Sequence, residues 1–449
     1  IKLKIGSAIN ASGGLAANIT ASQNIGVIKS SKKSSKDQID LSVSEGISNI
    51  AGGLLGKTTA EQNVGVINSK TSSSTKVRVY AKKIENVGVS VLGSAKSVQK
   101  IGEVSSTALS DNVDVKVRIN EDITGTAVGA TGSSSVVQEI GVVQGNNSKN
   151  IELDINAEAI RGTGIGILSG KGSAIEKIGV VSAANATQDK VSINTGVLLS
   201  EAAGIDSKSE IDLGGIIGKA GSNQEIYVKT GDLTVKSVGW TSAANVKIGV
   251  SQNQATSDIK IYAKNIDNYA IGKDSYADIY IGSIAGTGHV KEEITVGNIL
   301  NRSLAIKGKA LVEIGTVSSG NRGFVDATIK TGNITNELIV GADNANSSIK
   351  VGNVYGNSKG KSHIDISTGD LKSEVYVSWG YNSGVYVGNV SGVKNGADVK
   401  VHVENLSSSA AACVKGLGCF SELLGAKNCV SIGNVGMGSK CGNESFIAE

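Results

Sequence analysis

Ile364-Asp-Ile-Ser-Thr-Gly-Asp-Leu371 alternates apolar and polar residues, breaks at a Gly-Asp step and resumes on one more aliphatic. Alternation with period two is the mark of a half-buried strand. Gly-Asp and Gly-Asn steps tolerate the left-handed or bulged backbone that turns a strand through a corner. The octapeptide returns as Ile226-Tyr-Val-Lys-Thr-Gly-Asp-Leu233 and, with asparagine at the corner, as Thr328-Ile-Lys-Thr-Gly-Asn-Ile334. Looser relatives are Val77-Arg-Val-Tyr-Ala-Lys-Lys-Ile84, Val191-Ser-Ile-Asn-Thr-Gly-Val-Leu198 and Ile259-Lys-Ile-Tyr-Ala-Lys-Asn-Ile266.

Roughly midway between these octapeptides lies a second marker, Ile/Val-Gly-x-Ile/Val. Examples are Ile25-Gly26-Val27-Ile28, Ile140-Gly141-Val142-Val143 and Val351-Gly352-Asn353-Val354. The marker glycines fall at 26, 65, 102, 141, 179, about 215, 249, 282, 315, 352, 388 and 433. The period is about 33 to 39 residues with a longer last interval, and self-similarity at such a period belongs to a stacked repeat. A helical repeat of that length needs 3.6-residue periodicity and an Ala, Leu, Glu and Lys bias. This chain has period two and is built from Val, Ile, Ser, Thr, Asn and Gly. A propeller of so many blades exceeds the usual range. The expected fold is all-β: a parallel β-solenoid of about twelve repeats of ~36 residues, each made of short strands of about three to five residues joined at Gly or Asn corners. The spacing fits either one large coil per period or two coils of about 18 residues.

Composition agrees. The 449 residues contain 59 glycines, no proline and only 3% aromatics. Proline has no N–H to give to a ladder and is confined to edges, bulges and turns, so continuous ladders leave it little room. A thin interior between stacked coils is filled by Val, Ile, Leu and Ala without large rings. The formal charge of +4 is spread thinly, with Lys and Arg interleaved among Glu and Asp. No basic tract marks a nucleic-acid partner. No apolar run approaches the ~18 residues of a membrane span. The chain begins at Ile1 without a signal peptide, which reads as a mature, processed product.

In Ile226-Tyr227-Val228, Ile279-Tyr280-Ile281, Val375-Tyr376-Val377 and Val385-Tyr386-Val387 the aliphatics face inward, so the tyrosines point out. Tyr227, Tyr280, Tyr376 and Tyr386 are candidates for an exposed aromatic face toward a glycan or protein; a solvated face of good strand formers is the plainer reading. At the start, Ile1-Lys-Leu-Lys-Ile5 alternates like a strand. Ile1, Leu3 and Ile5 are candidate subunit contacts, because such a strand either opens the first coil or pairs with another molecule. Residues 1–10 are thus read as an N-terminal strand, 11–406 as solenoid and 407–449 as a C-terminal cap. That cap holds all four cysteines, Cys413, Cys419, Cys429 and Cys441. The strand pattern breaks at 407–412, and 413–424 has room for a helical turn. An even cysteine count in an extracellular-looking chain points to two disulfides, with three connectivities open. The cap has no Cys-x-x-Cys pair and its nearest histidine, His402, is isolated, so no metal site is assigned.

The three histidines, His289, His363 and His402, fall on separate repeats, and no Ser-His-Asp frame emerges. Asp212, Asp232, Asp365 and Asp370 recur about once per period, as a ladder of turn residues does. No catalytic residue and no cofactor is expected.

The strand-Gly-Asp-Leu repeats, as in residues 364–371, resemble the haemagglutinin-type repeats of secreted bacterial β-helix proteins. The resemblance implies a surface-exposed β-helix in adhesion or a surface assembly, and names no site; a viral tail fibre is a weaker likeness. The expectation is an extracellular, non-enzymatic structural protein that polymerises with itself head to tail. The alternative is an adhesin or receptor-binding rod that meets a cell-surface glycan or protein through its tyrosine-rich C-terminal half.

Overall fold

The computed structural model describes residues 1–16, 18–167, 170–217, 224–252, 257–282, 284–286, 289–319, 324–340, 345–356, 361–376, 381–391, 397–414, 418–420 and 427–433. Among the described residues every regular element is a β-strand. Apart from one antiparallel pair near the C-terminal end, the strands stack in parallel on their counterparts one period later, as Ala95 does on Ser134 and Ser134 on Gly172. The chain is therefore a parallel β-solenoid with one coil per period; the alternative of two small coils per period is excluded. It divides into two compact units, Ile1–Gly239 and Trp240–Glu449.

One coil of the second unit shows the plan. A lead strand, Asp274–Ile281, runs to Gly282; a short strand, Ile284–Gly286, follows. A third strand, Val290–Val296, carries the octapeptide position, and a return strand, Ile299–Ala305, closes the turn. The next lead strand, Lys307–Ile314, then lies in register on the first, with Ile279 against Val312. Three of these strands are longer than the three to five residues expected, because alternation persists up to each corner. The first unit repeats the plan with strands that run through their corners, the longest being Thr58–Leu92.

The marker glycines turn the corners between lead and short strands. Gly26, Gly65, Gly102, Gly141 and Gly179 in the first unit and Gly249, Gly282, Gly315, Gly352, Gly388 and Gly433 in the second all adopt φ between 56° and 64°. Near position 215 the corner residue is Gly214, at φ 70°. Left-handed backbone of this kind suits glycine, and at most of these corners, though not at Gly433, space forbids a side chain as well. A Cβ on Gly102 would stand 2.6 Å from Val117 Cγ2.

Inward residues stack into columns. Ile39, Val77, Val115, Leu153, Val191 and Ile226 follow one another in register through the first unit, none more than 2% exposed. In the second unit Val246, Ile279, Val312, Ile349 and Val385 do the same. One such residue covers the next, so burial is complete without aromatic bulk, which accounts for the 3% aromatic content.

Polar ladders thread the same interior. Gln62 donates to Gln23 at 2.8 Å and Gln99 to Gln62 at 2.8 Å; Gln138 meets Gln99 at 2.8 Å. Asn10, Asn49 and Asn86 form a second ladder, and Asn268, Asn301 and Asn336 a third in the second unit. Each asparagine amide also donates to a backbone carbonyl, Asn301 to Ala277 at 2.9 Å for example. Buried polar groups are tolerable only when paired, and pairing here requires the rungs to be in register. The ladders thus penalise slippage between coils. On the outside, Lys100, Glu139, Lys177 and Asp212 alternate in sign down one column, with Glu139 3.2 Å from Lys100 and 3.5 Å from Lys177. Glu139 is only 8% exposed, and the alternation of sign avoids the like-charge stacking that a slip would create.

The stack continues past the break expected at residue 407. Leu406–Val414 lies on Leu371–Tyr376, and Lys427–Ile432 lies on Tyr381–Val387. Where a helical turn had room, Leu406–Val414 folds back antiparallel on Gly418–Phe420, opposing Cys413 to Cys419.

Candidate functional site

The first described strand, Lys2–Ala16, pairs with Gln38–Leu55 by one edge only among the described residues. Its inward residues lie on buried partners, Leu3 on Leu41 and Ile5 on Val43. Leu41 and Val43 are 1% and 3% exposed, whereas Leu3 and Ile5 are only half-buried and Ile1 is exposed. The Asp40 N–H donates to the Ile1 carbonyl at 2.8 Å. By the alternation of a parallel ladder, Ile1, Leu3 and Ile5 turn their backbone polar groups toward Gln38–Leu55, while Lys2 and Lys4 turn theirs toward the open edge. The asparagine ladder reaches this edge too, ending at Asn10, whose amide donates to Asn49 at 2.8 Å. Residues 1–10 thus form a rung of the solenoid stack whose second edge has no partner among the described residues.

The four candidate tyrosines do not form one face. Tyr227 is exposed on the third strand Gln224–Thr230 of the first unit, and Tyr376 ends the return strand Leu371–Tyr376 of the second. Tyr280 and Tyr386 do share a lead-strand column of the second unit, which reads Lys247, Tyr280, Glu313, Lys350 and Tyr386. Burial pushes the Tyr280 phenol up to about 12, with Asp278 and Glu313 adding to the effect. It raises Tyr386 as well.

Beside Tyr386 lies a groove of about 470 Å³ lined by Lys309, Asn346, Lys350, Tyr355, Asn382 and Tyr386 among others. It is hollow because Gly384 interrupts an outward column between Ser348 and Cys429. The Tyr386 ring packs over that glycine, 2.6 Å from where its Cβ would be. Tyr355, on the short strand Val354–Gly356, is held above its usual pKa by burial, then by Glu313 and Tyr386. Lys309 is tied to Asp278 at 3.4 Å. Among the described residues the Lys350 ammonium has no such partner. Two rings, two carboxamides and a free cation can take a polar, ring-shaped or anionic ligand by stacking and hydrogen bonding. Sequence reasoning found Tyr386 here and missed Asn346, Lys350, Tyr355 and Asn382. The signal for the asparagines was their one-period spacing, since Asn346 lies in register with Asn382.

Cys429 sits at the groove edge, 7% exposed, and is not a free thiol. The side chains of Cys413 and Cys419, and all of Cys441, lie outside the described residues, as does Trp379. His363 Nδ1 is 3.6 Å from Asp398 of the next coil, and His402 lies against Ser367; these are separate pairs, not one constellation. Asp232 and Asp370 accept the backbone N–H groups of Leu198 and Ile334 of the previous coil through their carbonyls at corners, whereas Asp212 and Asp365 lie on strands. Among the described residues no three of His, Cys, Asp and Glu converge, and no helix is long and apolar enough to cross a membrane.

Three carboxyl groups escaped the sequence reading because they occupy inward or corner positions meant for neutral residues. Glu292 stacks between Ile259 and Ala327, fully enclosed, and burial holds it well above the usual carboxylate range. Glu176 follows Gln138 in register, and burial pushes it to about 8. Asp189, pushed to about 6 by burial, accepts from the Ser148 hydroxyl at 2.8 Å and the Ile151 N–H at 3.1 Å. Against this geometry, comparison with protein-family models, with curated proteins and with solved structures finds no match.

Proposed function

We propose that the chain is an extracellular structural protein that assembles end to end, extending its own solenoid by strand addition, without catalysis. What supports this reading is the rung Lys2–Ala16, whose second edge has no partner among the described residues, with Leu3 and Ile5 half-buried and Asn10 the outermost described member of an asparagine ladder. A coil from a second copy placed on that edge covers the aliphatics and continues the amide column. Head-to-tail contacts of this type do not close and so give filaments. The cysteine-bearing C-terminal segment is proposed to be locked by disulfides, in keeping with an oxidising compartment.

The test replaces Lys4 by proline, which removes an N–H directed at the open edge and leaves the pairing to Gln38–Leu55 intact. Negative-stain electron microscopy of the parent chain is expected to show filaments that Lys4→Pro abolishes. Isolated particles for the parent at every concentration overturn the proposal. Truncation is a weaker perturbation, because it uncovers Ile39 and Leu41 on the next rung.

A second reading rests on the groove beside Tyr386. Tyr355, Tyr386, Asn346, Asn382 and Lys350 offer the ring faces and hydrogen-bonding groups that a glycan contact uses. A glycan array probed with the parent and with Lys350→Ala plus Tyr355→Ala tests it. Signals lost in the double variant support an adhesin, and an array blank for both removes that reading.

A further inference from the structure

Outward columns of the first unit differ sharply in chemistry from face to face. The lead-strand face carries Lys100, Glu139, Lys177 and Asp212. The third-strand face carries Asp40, Arg78, Lys116 and Asp154 in successive coils. The return-strand face is mixed at its start, with Glu85, Thr124 and Arg161 in one column, but its end and the corner after it carry exposed aliphatics. Successive coils place Leu15, Leu55, Leu92, Val128, Ile167 and Ile205 along this stripe. Leu55 lies in register with Leu92 and Val128 with Ile165, while the Ile167 N–H donates to Gly129 at 3.0 Å and the Ile205 N–H to Gly170 at 2.8 Å. Exposure is substantial: 75% for Leu15, 47% for Leu92, 61% for Ile167 and 46% for Ile205. Outward aliphatics stack on the lead-strand face as well, at Val98, Val137 and Ile175, but those are half-buried, whereas most of the strongly exposed ones lie at the end of the return strand.

We infer that this stripe is a lateral interface between two copies of the chain, side by side and distinct from end-to-end stacking. Leu54, Val89 and Val91, at 41%, 37% and 47% exposed, extend the run, and clustered exposed aliphatics on a monomer's surface mark an interaction site. The occupant follows from periodicity. The stripe is a set of ridges repeating every ~4.8 Å, the spacing of stacked strands. A second copy presents ridges of the same spacing along its whole length, so side chains interdigitate without drifting out of step. A two-fold relation makes one patch complementary to itself.

The experiment uses the full chain carrying Lys4→Pro, so that loss of end contacts and loss of lateral contacts read out separately. Sedimentation across a wide concentration range is expected to give a monomer–dimer equilibrium. Adding Leu92→Lys and Ile167→Lys should weaken it by at least about tenfold, with an unchanged far-UV spectrum and melting temperature because both side chains point to solvent. A parent that stays monomeric throughout overturns the inference, as does a doubly charged variant that dimerises as well as its parent. Flotation of a monomeric parent with phosphatidylcholine vesicles, lost in the charged variant, overturns it in favour of a lipid surface.

Discussion

Replacing Glu176 by glutamine tests whether the interior ladder is what determines the residue type at its positions. Glu176 lies one coil beyond Gln138 in the column that begins Gln23, Gln62 and Gln99. Its side chain lies against Gly162 and is 1% exposed. Neither carboxyl oxygen has a hydrogen bond of ordinary geometry. Burial dominates and raises the pKa from 4.5 to about 8, with Ser200 and the residue's own N–H offsetting part of that and Glu210 adding to it. The folded chain therefore keeps the proton over a range in which the unfolded chain has lost it. Where the folded state binds more protons, stability falls as pH rises. The full contribution is present below about pH 4.5, is lost progressively up to about pH 8, and then levels off. At about 1.4 kcal/mol per pH unit, the interval from 4.5 to about 8 amounts to roughly 4–5 kcal/mol. Glutamine carries no charge and extends the amide column, so Glu176→Gln removes that slope. Guanidinium unfolding of parent and variant from pH 4 to pH 9 should give curves that nearly meet at the acid end and separate by several kcal/mol at the alkaline end. Glu292 is common to both proteins and cancels in the difference. Parallel profiles, or a variant destabilised at pH 8, would refute the argument that burial sets the protonation of this acid.

Gly102→Ala should destabilise the first unit by about 2–4 kcal/mol, since it adds left-handed strain to a 2.6 Å encroachment on Val117; thermal unfolding measures it, and a loss under about 0.5 kcal/mol contradicts the corner argument. Asn301→Ala cuts the ladder between Asn268 and Asn336, leaving the Asn268 amide N–H and the Asn336 Oδ1 without their rung partner. It should cost roughly 2–4 kcal/mol for the buried groups left unpaired, with faster hydrogen exchange in the adjoining strands of the second unit. Alkylation of the native, unreduced chain followed by mass spectrometry should find no modified cysteine among Cys413, Cys419, Cys429 and Cys441; four labelled thiols contradict the disulfide-locked cap.

The fold class could be read from residues close together in the chain. Alternation in Ile364-Asp-Ile-Ser and the left-handed corner at each marker glycine are local properties, and the period shows in one dimension. The groove was only partly legible. Tyr386 was found because alternation alone turns it outward, whereas Lys350 and Tyr355 sit on different strands of neighbouring segments and meet only where Gly384 leaves a hollow.

The sequence by itself determined that the chain is built of strands, that it turns at glycine, and that its repeats are alike enough to stack. It could not choose the coil size, because one large turn and two small ones share a period; the register of Ala95 on Ser134 chose it. Nor could it tell an inward glutamine from an outward one. Gln62 and Glu176 read as ordinary polar strand residues until stacking placed each between its counterparts in the coils on either side, where burial turned amides into a ladder and a carboxylate into a neutral acid. Contacts between coils join residues a whole period apart, and their chemistry exists only once the turns are laid on one another.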